Sequence, residues 1–257
     1  TGTSTDASYD ARVQQQIQQF VDQPIHGLPD IFHIWSHHSL GPGIREVFEV
    51  QTVNDFYKRA VHEACVDRDR QSRILSIGCG DGDVEVELAK SLLEEGFRNF
   101  LIEGADISPV LIDRFAEKVQ RLDLHEFIKP AVVDVNRTKP TSKFDVVMAN
   151  HSLHHIVELE NTFDTVFECL NETGILVTSD MIGRNGHMRW PETKAFLDII
   201  WPLLSEKQKY HNQLRRLDLD GFVDHDCSGE GFEGIRAQDI LYEILQRFHP
   251  YRFLGFG

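Results

Sequence analysis

The sequence predicts an α/β protein built on a doubly wound, mostly parallel sheet, with a helical lid before it and a helical insertion after its fifth strand. Three observations carry that prediction. Apolar runs of strand length alternate with helix-period segments from residue 73 to residue 180. The first run ends in alternating glycines, Ile77-Gly-Cys-Gly-Asp-Gly82. The next two end in acids, Asp106 and Asp134, so three strand ends point at one ligand.

Residues 1–10 are polar, lack a signal-peptide core and read as a disordered leader. Residues 11–68 read as the lid. Its first helix follows from Val13, Ile17, Phe20 and Val21 at helical spacing. Leu28 to Leu40 is rich in aromatics and histidines and suits either packing or covering a ligand. A helix over 46–68 then leads into strand one, 73–78. The alternation continues with a helix near 83–95, strand 99–106, helix 109–121, strands 131–135 and 144–150, helix 158–170 and strand 174–180. Residues 69–182 therefore form the cofactor-binding core. Residues 183–250 form the acceptor-binding insertion, with Pro191 in a helix first turn, an acidic glycine-rich loop over 218–234 and a helix over 237–248. The apolar end, 251–257, reads as a last core strand of a chain that continues further.

Gly78, Gly80 and Gly82 let the backbone turn tightly and approach a ligand without a Cβ in the way. An NAD fingerprint, G-x-G-x-x-G, would want glycine at position 83, which is Asp83. The loop, Ala105-Asp-Ile-Ser-Pro109 and Val133-Asp-Val135 together resemble the class I S-adenosylmethionine-dependent methyltransferases, over roughly 70–182. The resemblance implies S-adenosyl-L-methionine as cofactor and a Rossmann-like core. It also implies that Gly78, Cys79, Gly80 and Gly82 hold the methionine portion, Asp106 the ribose hydroxyls and Asp134 the adenine amine. Ile107 and Val135 would flank the ring, with Asn150 nearby.

Methyl transfer from a sulfonium is an in-line displacement, so the protein aligns the acceptor and, for a hydroxyl, removes a proton. Histidine suits the base because much of it is neutral at working pH. Ala149-Asn-His-Ser-Leu-His-His-Ile156 follows strand four and offers His151 and His155, four apart as on one helix face, with His154 assigned to packing. His187 is a further candidate base after strand five. Near it, Arg184 or Arg189 would hold an anionic acceptor group and Trp190 would stack on a ring. No metal is expected: His151 and His155 lack a third ligand pattern, and Asp218 to Asp226 misses EF-hand spacing. The expected reaction is methylation of a small-molecule acceptor (sugar, polyketide or other natural product), at oxygen in preference to nitrogen or carbon. The competing reading is a silent cofactor-binding adaptor.

Composition narrows the partners. The chain has 257 residues and a formal net charge of −15, which opposes a grip on nucleic acid. No apolar run approaches a membrane span. Four scattered cysteines suggest reduced thiols and a cytoplasmic protein. The partners compatible with this reading are a small-molecule acceptor and a second copy in a homodimer.

Overall fold

The computed structural model describes residues 3–19, 34–65, 69–211, 215–229 and 231–255. Of the aromatic stretch expected as part of a lid, Leu28 to Leu40, residues 28–33 lie outside them. Helix α1 spans Thr3–Gln19, which replaces the expected disordered leader. Asp10 pairs with Arg137 at 3.0 Å, and the Arg137 guanidinium lies over the Tyr9 ring. These contacts hold residues that polarity alone assigned to solvent.

A π-helical turn, Ser36–Leu40, runs into α2, Gly41–Phe48. The single helix expected over 46–68 is instead broken. Glu49 takes a left-handed conformation that ends α2, and α3, Val53–Ala64, starts afresh on a Thr52/Asp55 capping box. Then come β1 (Ser72–Ile77), α4 (Asp83–Glu94), β2 (Phe100–Asp106) and α5 (Pro109–Arg121). These are followed by β3 (Ile128–Val132), β4 (Phe144–Asn150), α6 (Leu159–Cys169) and β5 (Leu170–Ser179). The insertion holds α7 (Pro191–Ile200), a single turn α8 (Glu206–Lys209), the ribbon β6 (Tyr210–His211) with β7 (Arg216–Leu217), and α9 (Ile240–Arg247).

The five long strands form one parallel sheet in the order β3-β2-β1-β4-β5. The order reverses between β1 and β4, so a crevice opens at their carboxyl ends. Strand β3 begins earlier than expected because fully buried Ile128 pairs with Ile102. Asp134 consequently sits in the turn beyond the strand.

Two apolar clusters cover the sheet. On one face Ile74, Ile102, Val146 and Met148 pack against Val61 of α3, Val86 and Leu92 of α4, and Phe115 of α5. On the other Phe144, Val147 and Ala149 pack against Phe163 and Val166 of α6 and Ile240 of α9. Helix α9, expected as part of the insertion, therefore serves the core.

The expected last strand is absent: residues 251–255 form a bend and irregular chain. Arg252 reaches Glu63 of α3 at 2.7 Å, and Leu254 packs where a Cβ on Gly43 would meet it. The ion pair and this packing draw the segment to α2 and α3 instead of to the sheet edge.

Candidate active site

The glycine loop bridges β1 and α4 with Gly78, Gly80 and Gly82 all at positive φ. At Gly78 a Cβ would lie 2.4 Å from the Cβ of Ser152, and at Gly82 2.0 Å from the Phe115 ring. Conformation and space both demand glycine there. Gly78 N–H donates to Ala105 carbonyl, fixing the loop to β2.

Asp106 ends β2. Its Oδ2 accepts from Gly80 N–H at 2.9 Å and its Oδ1 from Ser108 N–H at 2.8 Å. Burial raises its pKa, while the backbone donors work in the other direction. Each oxygen keeps acceptor capacity for one further donor, which fits a ribose diol. Asp134 accepts from the Tyr9 hydroxyl at 2.9 and 3.0 Å, one contact to each oxygen, and from Asn136 N–H at 3.0 Å. Glycine loop and two carboxylates thus stand along β1, β2 and β3 as a nucleoside cofactor requires. Val135 departs from expectation: with Ile77, Ala105 and Val133 it lines a cavity of about 280 Å³ against α6. The Cys79 thiol is driven well above its ordinary pKa by burial, so it is a packing group.

Asn150 closes β4, and its Oδ1 accepts from the buried Tyr57 hydroxyl at 2.9 Å. His151 follows in a left-handed conformation, its N–H donating to Ser179 carbonyl at 2.8 Å. The residue keeps part of its surface open to solvent while the surrounding chain strips part of the ring's hydration. Among the described residues its ring has no hydrogen-bond partner. Lost hydration lowers its pKa, with Asp180 opposing, so the ring is neutral at neutral pH.

His151 and His155 do not share a helix face, because the turn after β4 is a 3₁₀ turn confined to Leu153–His155. A different group forms. Asp180, at the end of β5, accepts from Ser152 N–H, Leu153 N–H and His154 Nδ1 at 3.0, 2.7 and 2.5 Å. Glu233 lies beyond, 2.8 Å from His187 Nε2, 3.5 Å from His154 Nε2 and 3.6 Å from His155 Nε2. Burial disfavours the charge on His154, but Asp180 and Glu233 outweigh it and raise its pKa to about 9. His155 goes the other way, to about 4, through burial and the neighbouring His154 charge. Burial pushes the Glu233 carboxyl up, yet its bonds to His154 and His187 hold it well below the usual range. Helix α1 closes this group: Gln16 accepts from Phe232 N–H at 2.8 Å and lies 3.4 Å from His155 Nδ1.

His187 is also left-handed, and Gly234 approaches it so closely that a Cβ there would lie 3.0 Å from its nitrogen. The Arg184 and Arg189 guanidinium groups donate to loop carbonyls, Asp224 lies 3.9 Å from Arg184 and accepts from the Arg189 backbone N–H, and Trp190 is exposed. Sequence reasoning passed over Asp180, Glu233, Tyr9 and Tyr57. Asp180 carried a signal as an acid at a strand end; Glu233 carried none, since it comes from an irregular loop far along the chain.

Comparison with known proteins bears on the family. Residues 50–220 match the family model described as a methyltransferase domain. A malonyl-[acyl-carrier protein] O-methyltransferase 1 of Ilyobacter polytropus is 27% identical over 65% of this chain and 60% of its own. A malonyl-[acyl-carrier protein] O-methyltransferase of Acetivibrio thermocellus is 29% identical over 70% of this chain and 62% of its own. The chain thus spans about three fifths of each of these two relatives. Among solved structures, the O-methyltransferase of a trans-AT PKS multienzyme of Brevibacillus brevis, in complex with S-adenosyl-L-homocysteine, has 19% identity and a TM-score of 0.41. That match covers 64% of this chain and 53% of the other. The chain belongs to the class I S-adenosylmethionine-dependent methyltransferase family.

Proposed function

We propose that this protein methylates a small-molecule acceptor at oxygen, with His151 as general base. The observation that carries the reading is the place of His151, partly open to solvent and with no ring hydrogen bond among the described residues, directly after the strand beside the glycine loop. His155 and His187, the other two candidate bases, each have ring nitrogens directed at Glu233, and His155 faces Gln16 as well. The relatives named for O-methylation support oxygen as the receiving atom.

S-adenosylmethionine supplies the electrophilic methyl group when bound. Gly78, Cys79, Gly80 and Gly82 would hold its methionine portion, Asp106 its ribose and Asp134 its adenine amine, with Ile107 and Asn150 alongside. His151 takes the acceptor's proton on a ring nitrogen as its oxygen attacks. Its lowered pKa keeps that nitrogen free below the ordinary histidine range.

The test is transfer from methyl-labelled S-adenosylmethionine to a panel of hydroxylated natural products. His151→Ala is expected to lower kcat by about 10²- to 10⁴-fold with cofactor affinity unchanged. The acid limb of the wild-type pH–rate profile should have its midpoint below 6.5, as expected of a histidine whose pKa is lowered. Cofactor binding without transfer to any acceptor would favour the adaptor reading. An undiminished rate in His151→Ala would remove His151 from the chemistry.

A further inference from the structure

The cluster at the mouth of β4 and β5 contains something the methyl-transfer reading does not use. Three side chains from two distant segments, His154, His155 and Glu233, bring one donor atom each to within 4.8 Å of one another. We propose that they form a binding site for a divalent transition-metal ion. Glu233 lies outside the part of the chain that matches the family, residues 50–220, so this is a feature of this chain's own insertion.

The longer contacts leave room for an ion among the three residues. A charge-assisted N–H···O contact closes to about 2.7–2.9 Å, as His187 Nε2 does with Glu233 Oε1 at 2.8 Å. His154 Nε2 and His155 Nε2 instead stop at 3.5 and 3.6 Å from Glu233. Nitrogen and oxygen ligands about 2.0–2.2 Å from a tetrahedral ion stand about 3.4 Å apart. The two separations run to different Glu233 oxygens, Oε1 for His154 and Oε2 for His155, and one donor atom from each residue lies within 4.8 Å of the others, a span that side-chain adjustment would close onto one ion.

The surrounding groups are those a ligand set needs. His154 Nδ1 donates to Asp180, so Nε2 faces the cluster, and the proton that Nε2 carries at neutral pH is the one an incoming ion displaces. A carboxylate behind a ligating imidazole fixes its tautomer and strengthens its donation. His187 holds Glu233 from the other side. When His155 Nε2 is on the ion its Nδ1 carries the proton. The Gln16 amide then turns its carbonyl toward it and gives up Phe232 N–H, so ion binding reaches α1. Two imidazoles with one carboxylate select zinc, cobalt, nickel or iron over magnesium or calcium. Three protein ligands leave one position open.

The experiment is calorimetric titration of Zn(II) into the chelator-treated, untagged full chain, with Co(II) absorption spectra as a second readout. One equivalent is expected to bind, with Co(II) giving the intense visible bands of a four-coordinate site. Glu233→Gln and His155→Ala should weaken binding at least about 100-fold, while His151→Ala, outside the ligand set, should bind as wild type. Absence of stoichiometric binding, or unchanged affinity in both ligand variants, overturns the proposal. Should either variant misfold by circular dichroism, Cu(II) paramagnetic resonance of the wild type decides: coupling to two nitrogens supports the site and its absence contradicts it. S-adenosylhomocysteine binding, measured in parallel, tests the cofactor site independently.

Discussion

Glu85 shows how a single residue behind the cofactor loop sets a pH response. It is 1% exposed, with Oε1 accepting from Ser76 Oγ at 2.6 Å and Oε2 buried without a partner. Burial raises its pKa from 4.5 to about 7. The folded state thus keeps a proton that the unfolded chain gives up, and the associated stability, complete below pH 4.5, is lost as pH rises through 7. Glu85→Gln keeps the hydrogen bond and removes the titration. In urea unfolding it should exceed wild type at pH 8 by on the order of 3 kcal/mol, with the gap closing toward pH 4.5. A gap independent of pH would contradict this account. The glycine turn and the acid that closes β2 were legible in the sequence because their signals are local: a strand, a turn, an acid. His151 was legible as a histidine after β4, but not its left-handed backbone, which sets it apart from His155.

Helix α1 draws its place from contacts made far away in sequence. Tyr9 donates to Asp134, Arg12 donates to the carbonyls of Ser228 and Gly231 at 2.7 and 2.9 Å, and Gln16 reaches Phe232 and His155. One helix thus links the adenine-side acid to the histidine cluster, as a lid over the site would. Arg12→Ala removes two hydrogen bonds, each about 1 kcal/mol, and is expected to speed release of S-adenosylhomocysteine roughly tenfold in stopped flow. An unchanged off-rate would show that α1 does not cover the ligand. The helical period over 11–22 announced the element, yet its polar N-terminal turn read as leader because the partners of Tyr9 and Asp10 lie more than a hundred residues away. The break between α2 and α3 was readable in Thr52 and Asp55, a capping pair inside what looked like one helix.

At the scale of the whole molecule, α9 decides where core ends and insertion begins. Fully buried Ile240 packs with Phe163 and Val166 of α6, and Arg236 and Arg247 tie the segment to Glu160 and Asp164. Ile240→Ala should cost about 2–5 kcal/mol of stability by chemical denaturation, a loss that a peripheral acceptor lid would not show. The parallel sheet was legible because its strands alternate with helices long enough to cross over between them. The fate of 251–255 was not, since an apolar tail suits a strand edge and a helix surface equally and the choice rests on Arg252 meeting Glu63. Charge likewise gave the sign of the surface but not the convergence of Asp180, Glu233 and three histidines from separate loops. What unites the scales is the cradle of Gly80, Asp106 and Asp134 at the carboxyl ends of one parallel sheet. Calorimetric titration of S-adenosylhomocysteine into wild type and Asp106→Ala tests it most directly. One-to-one binding that Asp106→Ala weakens by at least about 1.5 kcal/mol is predicted; no binding to the wild type, or equal binding to both, would contradict it.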